Sequence, residues 1–380
     1  LRIWWREIDK VLLGLIVLLM GLGVLAVAAA SPASADQLST SKVTLDEFMF
    51  LKRHIVFQFL GLALMLGLSF LSREQARRLG ILVGAIMLAL LFVVPVIGEE
   101  KNGARRWINV GMSLQPSEFL KPGFAIICAW VLSWKLRDPG LPVITFVTGL
   151  MGLVAALLML QPNLGDAILF GGIWLVMVLL AGVAWQRIAG LIGAGVAALS
   201  LAYMFYDNAR HRIDSFLGGG TAFDQVDLAQ RTLLAGGWTG SGLWLGVRKM
   251  NLPEAHTDYI FSVIGEEFGL LACALIVALY AGAVIRALLR MVGEDNLFAL
   301  LAGVGLITQF GGQAFINILV NLKLFPSKGM TLPLISYGGS STLAVCFTLG
   351  LLLAITRRNP FLANEAGGLR ELIERKEPGA

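Results

Sequence analysis

The sequence predicts an all-α, polytopic integral membrane protein of about ten transmembrane helices, and three observations carry that class. Of its 380 residues, 57% are hydrophobic and only 14% are charged, a balance that excludes an ordinary soluble domain. The apolar residues fall in successive runs of roughly 20, the length a helix needs to cross a hydrocarbon core. The runs lack the strict alternation of barrel strands, so helices are left to satisfy the backbone inside lipid.

The predicted spans are residues 11–31, 54–71, 80–98, 118–134, 142–160, 167–183, 188–205, 259–288, 297–322 and 341–356, read from apolar runs separated by polar breaks. The first follows Arg2 and Arg6 and ends in a small-residue string, Ala30 to Ala35, that imitates a signal-peptide cleavage site. Its apolar run is longer than the roughly 7–15 residues of a signal core, so it reads as an uncleaved helix. Alternate short connections are basic: Arg73, Arg77 and Arg78; Lys135 and Arg137; Arg187; Arg286 and Arg290. With Lys10 at the start and Arg357 and Arg358 at the end, the positive-inside bias puts both termini in the cytoplasm. Residues 1–356 then form a single transmembrane domain with one large extracytoplasmic loop, 206–258, between helices 7 and 8. Residues 357–380 read as a cytoplasmic C-terminal tail.

Cys128, Cys273 and Cys346 sit singly inside apolar runs and read as small buried side chains, not ligands. The net charge of +5 is spread over loops. That distribution excludes a nucleic-acid-binding domain and favours membrane lipids or an anionic lipid substrate. Outward segments nevertheless carry Lys101, Arg105 and Arg106, then Arg210, Arg212, Arg231, Arg248 and Lys249, then Lys323 and Lys328. Insertion bias does not select outward cations, so an anion on that face is expected, although a long loop crosses regardless of charge.

Chemistry concentrates in Asn251 to Gly269, which reads NLPEAHTDYIFSVIGEEFG. Glu254, His256 and Asp258 stand at the mouth of an apolar run, and Glu266 and Glu267 lie inside it. Carboxylates at membrane depth are costly and mark functional candidates; Glu266 and Glu267 read as partners for buried polar groups. Glu118 and Lys121, three residues apart, share a helical face. They either pin a helix or line a cavity with Arg105 or Arg106, whose guanidinium suits phosphate. Gln309, Gln313, Asn317 and Asn321 draw a polar stripe at spacing four, used for interhelical hydrogen bonds or for cavity lining. The string GGWTGSGLWLG at 236–246 lacks the ending of a nucleotide loop; its glycines let the backbone turn against the membrane surface or a substrate. Residues 326–341, PSKGMTLPLISYGGSS, have no helical period and read as a re-entrant or cavity-lining segment, with Lys328, Ser336 and Ser340 as binding candidates.

These motifs, with NGARRWI and LQPSEFLKP between 102 and 122, resemble those of the SEDS (RodA/FtsW) family of membrane peptidoglycan glycosyltransferases. The resemblance covers nearly the whole chain and is closer to the family's cell-division branch than to its elongation branch. It implies polymerisation of lipid II into β-1,4 glycan strands on the outer face of the cytoplasmic (inner) membrane during septal synthesis. It also implies a class B penicillin-binding protein transpeptidase (FtsI-like) and other division membrane proteins as partners. The family's essential acid falls on Asp258 and its cavity pair on Glu118 and Lys121. Many relatives carry Gln-Pro-Asp where this chain has Gln161-Pro162-Asn163, which leaves open whether Asp166 takes the acidic role.

Such a transfer needs a base for the acceptor hydroxyl and positive charge for the departing diphosphate. Asp258 is the expected base, its carboxyl raised by partial burial. Arg106, Lys121, Arg248, Lys249 and Lys328 are the expected diphosphate contacts, with Glu254, His256 and Ser340 around them. No cofactor is required, although a magnesium or manganese ion on the diphosphate is chemically sensible. A flippase of the same lipid, or a scaffold of the division machinery, are the competing classes; neither needs a base, and no inverted repeat with matched broken helices is visible.

Overall fold

The computed structural model describes every residue except 1, 40–43, 102–103, 110, 112, 137, 139, 184, 206–209, 211–213, 215–224, 327–328 and 358–380. The predicted tail, Lys328 and much of the predicted outer loop therefore lie outside the described residues. The chain runs α1 (Arg2–Glu7), α2 (Lys10–Leu38), α3 (Met49–Ser69) and α4 (Arg73–Ile97), then β1 (Glu99–Lys101), β2 (Ala104–Asn109) and β3 (Ser113–Leu114). It continues with α5 (Pro116–Ser133), α6 (Val143–Leu160), α7 (Leu164–Leu180), α8 (Trp185–Phe205), α9 (Gln225–Ala235), α10 (Ile260–Met291), α11 (Leu297–Asn321) and α12 (Gly339–Thr356). A helix overlaps each predicted span, and among the described residues seven helices are long and apolar enough to cross a membrane. This is a multi-pass membrane protein.

Local chemistry sets the helix starts. Asp9 caps α2 by accepting from the Val11 and Leu12 N–H groups, and Ser72 with Gln75 forms a reciprocal capping box on α4, each satisfying donors that have no intrahelical partner. Packing then orders the helices. In α4 the Gly80–Gly84 pair lets α5 approach so closely that a Cβ on Gly123 would stand 2.4 Å from the Gly84 Cα, the small-residue contact typical of membrane helices. The most enclosed spans are α12 and α11, with 83% and 67% of their apolar windows buried.

Ion pairs tie the helix ends whose arginines the sequence assigns to the inside. Asp9 bonds Arg286 and Arg290 of α10, and Arg73 bonds Glu294 at 2.9 Å.

The all-α expectation is corrected between residues 99 and 114, where β1, β2 and β3 form an antiparallel sheet in that order. Trp107 and Ile108 favour strand geometry, and a hairpin at a membrane edge satisfies its own backbone. Because strand neighbours face opposite ways, Arg105 and Arg106 separate: Arg105 is exposed and 3.4 Å from Glu100, whereas Arg106 turns inward and is buried.

A second departure is the break in α10 at Gly269, whose φ of 82° and ψ of 174° no β-carbon-bearing residue adopts readily. The loop after α9 fills the break. Gly237 and Trp238 carbonyls accept from Leu270 and Leu271, and the Ser241 and Gly242 N–H groups donate to the Glu266 and Glu267 carbonyls. The glycine-rich 236–246 string thus turns tightly against the α10 backbone.

Candidate active site

The turn Pro253–Tyr259 delivers Asp258 to the N-terminal end of α10. Its Glu254 carbonyl accepts from the Thr257 and Tyr259 N–H groups, with Glu254 itself at φ 53°. The Asp258 carbonyl accepts from the Asn317 amide at 2.9 Å and the Asn321 amide at 3.0 Å. Asn321 also accepts from the Ser262 N–H and hydroxyl, and Gln309 donates to Thr348 of α12. The predicted polar stripe of α11 is therefore hydrogen-bonded to neighbouring helices at Gln309 and Asn321, and its C-terminal half fixes the rim that carries Asp258.

Residues 329–338 form a non-helical strap enclosed by helices, as the sequence predicts. Its polar backbone is met at each step: Asn317 donates to the Met330 carbonyl, Gln313 to Thr331, Tyr280 to Pro333 and Gln58 to Leu334. Ser336 accepts from Leu332 N–H and donates to the Thr257 carbonyl, while Tyr337 N–H donates to the His256 carbonyl. Ser336, a predicted binding residue, is instead a buried tie between strap and rim.

Between rim, strap, β2 and α3 lies a cavity of about 1300 Å³, ample for a sugar-sized ligand. Asp258, Glu254, Arg106 and Ser340 line it, as do Lys52 and Arg53 of α3. Gly329 lies beside both Asp258 and Arg106. A Cβ placed on it would stand 3.5 Å from Asp258 Oδ2 and 3.7 Å from Arg106 Nη1. Arg106 is held there by the Gln161 carbonyl at 3.0 Å and by the Pro162 carbonyl.

The other predicted cations are placed differently. Lys121 is fully enclosed, 2.6 Å from Glu118 and 2.9 Å from Asp166, and Asp166 also accepts from Ser117 and Asn163. Asp166 therefore stands one turn after Asn163 and shares the Lys121 ammonium with Glu118. Lys249 is likewise buried, 2.5 Å from Glu267 and bonded to the Ala29 carbonyl. The expectation that Lys121 and Lys249 face the diphosphate is corrected: a charge in a dry interior is tolerable only when paired, and each lysine is consumed by its pair. Arg248 is exposed and lies off the cavity wall; its N–H donates to Glu266. The two deep glutamates hold the loop, Glu266 through the Arg248 and Lys249 N–H groups and Glu267 through Gly246 and Trp244.

His256 faces inward, its ring centroid 4.2 Å from Phe50 and 5.5 Å from Tyr337. Burial pushes its pKa down to about 4, against the raising effect of Glu254, so it is neutral and off the cavity wall at physiological pH. Lys52 and Arg53 were missed because residues 32–53 read as a polar connection; their place at the outer start of an apolar span was the available signal.

The FTSW_RODA_SPOVE family, described as cell cycle proteins, matches residues 9–360. A relative from Caulobacter vibrioides named probable peptidoglycan glycosyltransferase FtsW is 37% identical over 95% of this chain and 92% of its own. One of the same name from Geobacter metallireducens is 35% identical over 93% and 96%. Among solved structures, a chain of a peptidoglycan synthase complex that coordinates polymerization and crosslinking is similar with a TM-score of 0.74 at 28% identity, over 93% of this chain and 98% of that one. The Thermus thermophilus rod shape determining protein RodA is similar with a TM-score of 0.67 at 28% identity, over 93% and 97%.

Proposed function

We infer, from the premise that this chain belongs to the FTSW_RODA_SPOVE family of cell cycle proteins, that it is a peptidoglycan glycosyltransferase. The observation that carries the chemistry is a carboxylate, Asp258, and a guanidinium, Arg106, on the wall of one cavity, both within reach of a Cβ on Gly329. The substrate is lipid II. Asp258 takes the proton of the acceptor 4-hydroxyl as its oxygen bonds the donor anomeric carbon. The bond from that carbon to the diphosphate breaks, and undecaprenyl diphosphate leaves with inversion to a β-1,4 link. Arg106, Lys52 and Arg53 neutralise the departing diphosphate, with Lys328 a further candidate on sequence grounds, and Ser340 and Glu254 border the acceptor.

A magnesium or manganese ion fits this donor set, because such ions bind through one or two carboxylates together with substrate phosphates. Glu254 would hold it together with the substrate phosphates, and it would supply charge neutralisation. The active face is extracytoplasmic, the spans number ten with both termini inside, and residues 1–356 act as one transmembrane domain in the inner membrane. The likeness to a synthase-complex subunit supports a class B penicillin-binding transpeptidase as partner in septal synthesis.

The test is polymerisation of purified lipid II by the purified protein with that partner. Asp258→Asn should lose at least about a hundredfold in rate; polymerisation at the wild-type rate would remove Asp258 from the mechanism. Lipid translocation in vesicles without polymerisation by the wild type would replace the enzyme with a transporter.

A further inference from the structure

Five side chains beneath the cavity form a closed hydrogen-bonded circuit. Lys121 Nζ donates to Glu118 Oε1 at 2.6 Å and to Gln313 Oε1 at 3.3 Å. Gln313 Nε2 donates to the Thr331 carbonyl at 3.1 Å and to its hydroxyl at 3.4 Å. The Thr331 and Ser341 hydroxyls are 2.6 Å apart, and Ser341 donates to Glu118 Oε2 at 3.3 Å. An ammonium only donates and a carboxylate only accepts, so the charged ends fix the direction of every bond between them. Gln313 passes it from Lys121 to Thr331, Thr331 to Ser341, and Ser341 to Glu118. Bonds aligned in one sense polarise one another and stiffen the chain.

The circuit joins α5, α11, the strap and α12. Its ion pair is buried, yet Thr331 and Ser341 stand on the cavity wall. The strap's ties at Met330, Pro333, Leu334 and Tyr337 run to neutral groups; the tie at Thr331 leads to a charge. Thr331 is two residues from Gly329, a Cβ on which would touch both Asp258 and Arg106, and Asn317 joins the Met330 carbonyl to the Asp258 carbonyl.

We propose that Thr331 and Ser341 are positioning residues that transmit the placement of the Lys121–Glu118 ion pair to the strap and, through Asn317, set the position of the rim that carries Asp258. This rests on the glycosyltransferase reading of the cavity. A misplacement of about 1 Å costs on the order of a hundredfold in rate, so a hydroxyl that holds the strap has a kinetic signature without touching the reacting atoms.

The experiment measures kcat and KM on lipid II for Thr331→Val, Thr331→Ser, Ser341→Ala, Lys121→Met and the paired variants, with thermal melting to follow folding. Thr331→Val should lower kcat about tenfold or more while KM stays within about twofold, and Thr331→Ser should recover most of the loss. The losses of Thr331→Val and Lys121→Met should not multiply when combined; if Lys121→Met does not fold, Ser341→Ala takes its place in the cycle. A wild-type kcat in Thr331→Val, a change in KM alone, or multiplying losses would overturn the proposal. A wild-type protein unable to extend glycan would overturn the glycosyltransferase reading and the proposal together.

Discussion

Lys249 and Glu267 form an ion pair sealed from solvent, 2.5 Å apart with side-chain exposures of 3% and 0%. The lysine comes from the loop that precedes α10 and the glutamate from α10 itself, so the pair locks the loop into the helix break. Glu267→Leu strands a buried ammonium and should cost about 3–5 kcal/mol, whereas Lys249→Met with Glu267→Leu removes both charges and should recover much of it. Thermal melting of the purified protein compares the three, and an unaffected single variant would contradict the burial.

Gly329 has φ of 54° and lies beside Asp258 and Arg106. Gly329→Ala adds left-handed strain of roughly 1–2 kcal/mol but only ordinary contacts with its neighbours. Gly329→Val brings larger groups to the carboxylate. The alanine variant should fold and keep partial activity; the valine variant should fold and lose it. Glycan length on lipid II reads both.

His256 supplies a pH dependence of stability. Its pKa is about 4 in the folded protein against roughly 6.5 when unfolded, so the unfolded chain binds more protons between those values. Stability is full above roughly pH 6.5 and falls as pH drops toward 4, by about 2 kcal/mol at pH 5 for this one group. His256→Phe keeps the stack on Phe50 and should flatten that part of the melting-temperature profile. An unchanged slope would place the imidazole in water.

Adjacent arginines should behave oppositely. Arg106→Ala and Arg53→Ala should weaken lipid II binding and reduce its sensitivity to salt, because each removes a cation that faces the cavity. Arg105→Ala, on the outer face of β2, should do neither. Binding to lipid II at two ionic strengths separates the cases.

The span pattern and the rim were legible because both follow from local chemistry. Apolar runs of spanning length announce helices, and Glu254, His256 and Asp258 beside such a run announce an edge. The glutamine and asparagine stripe of α11 was legible as a bonded face for the same reason. What could not be read was which cation meets which carboxylate. Lys121 and Lys249 look like Arg106 in sequence, and only tertiary placement reveals that Asp166 and Glu267 neutralise the lysines while carbonyls hold Arg106. Lys52 and Arg53 join the site only through the fold of α3 against the strap.

The break in α10 bears on how the protein is made. A helix interrupted at Gly269 leaves two amide hydrogens and two carbonyls that lipid cannot satisfy, and residues 237–242 satisfy all four. Those residues are synthesised before the helix they complete. The nascent eighth predicted span therefore meets a template that already exists, and a chain cut or lengthened between α9 and α10 should leave two half-helices with unsatisfied ends even though every apolar run is intact.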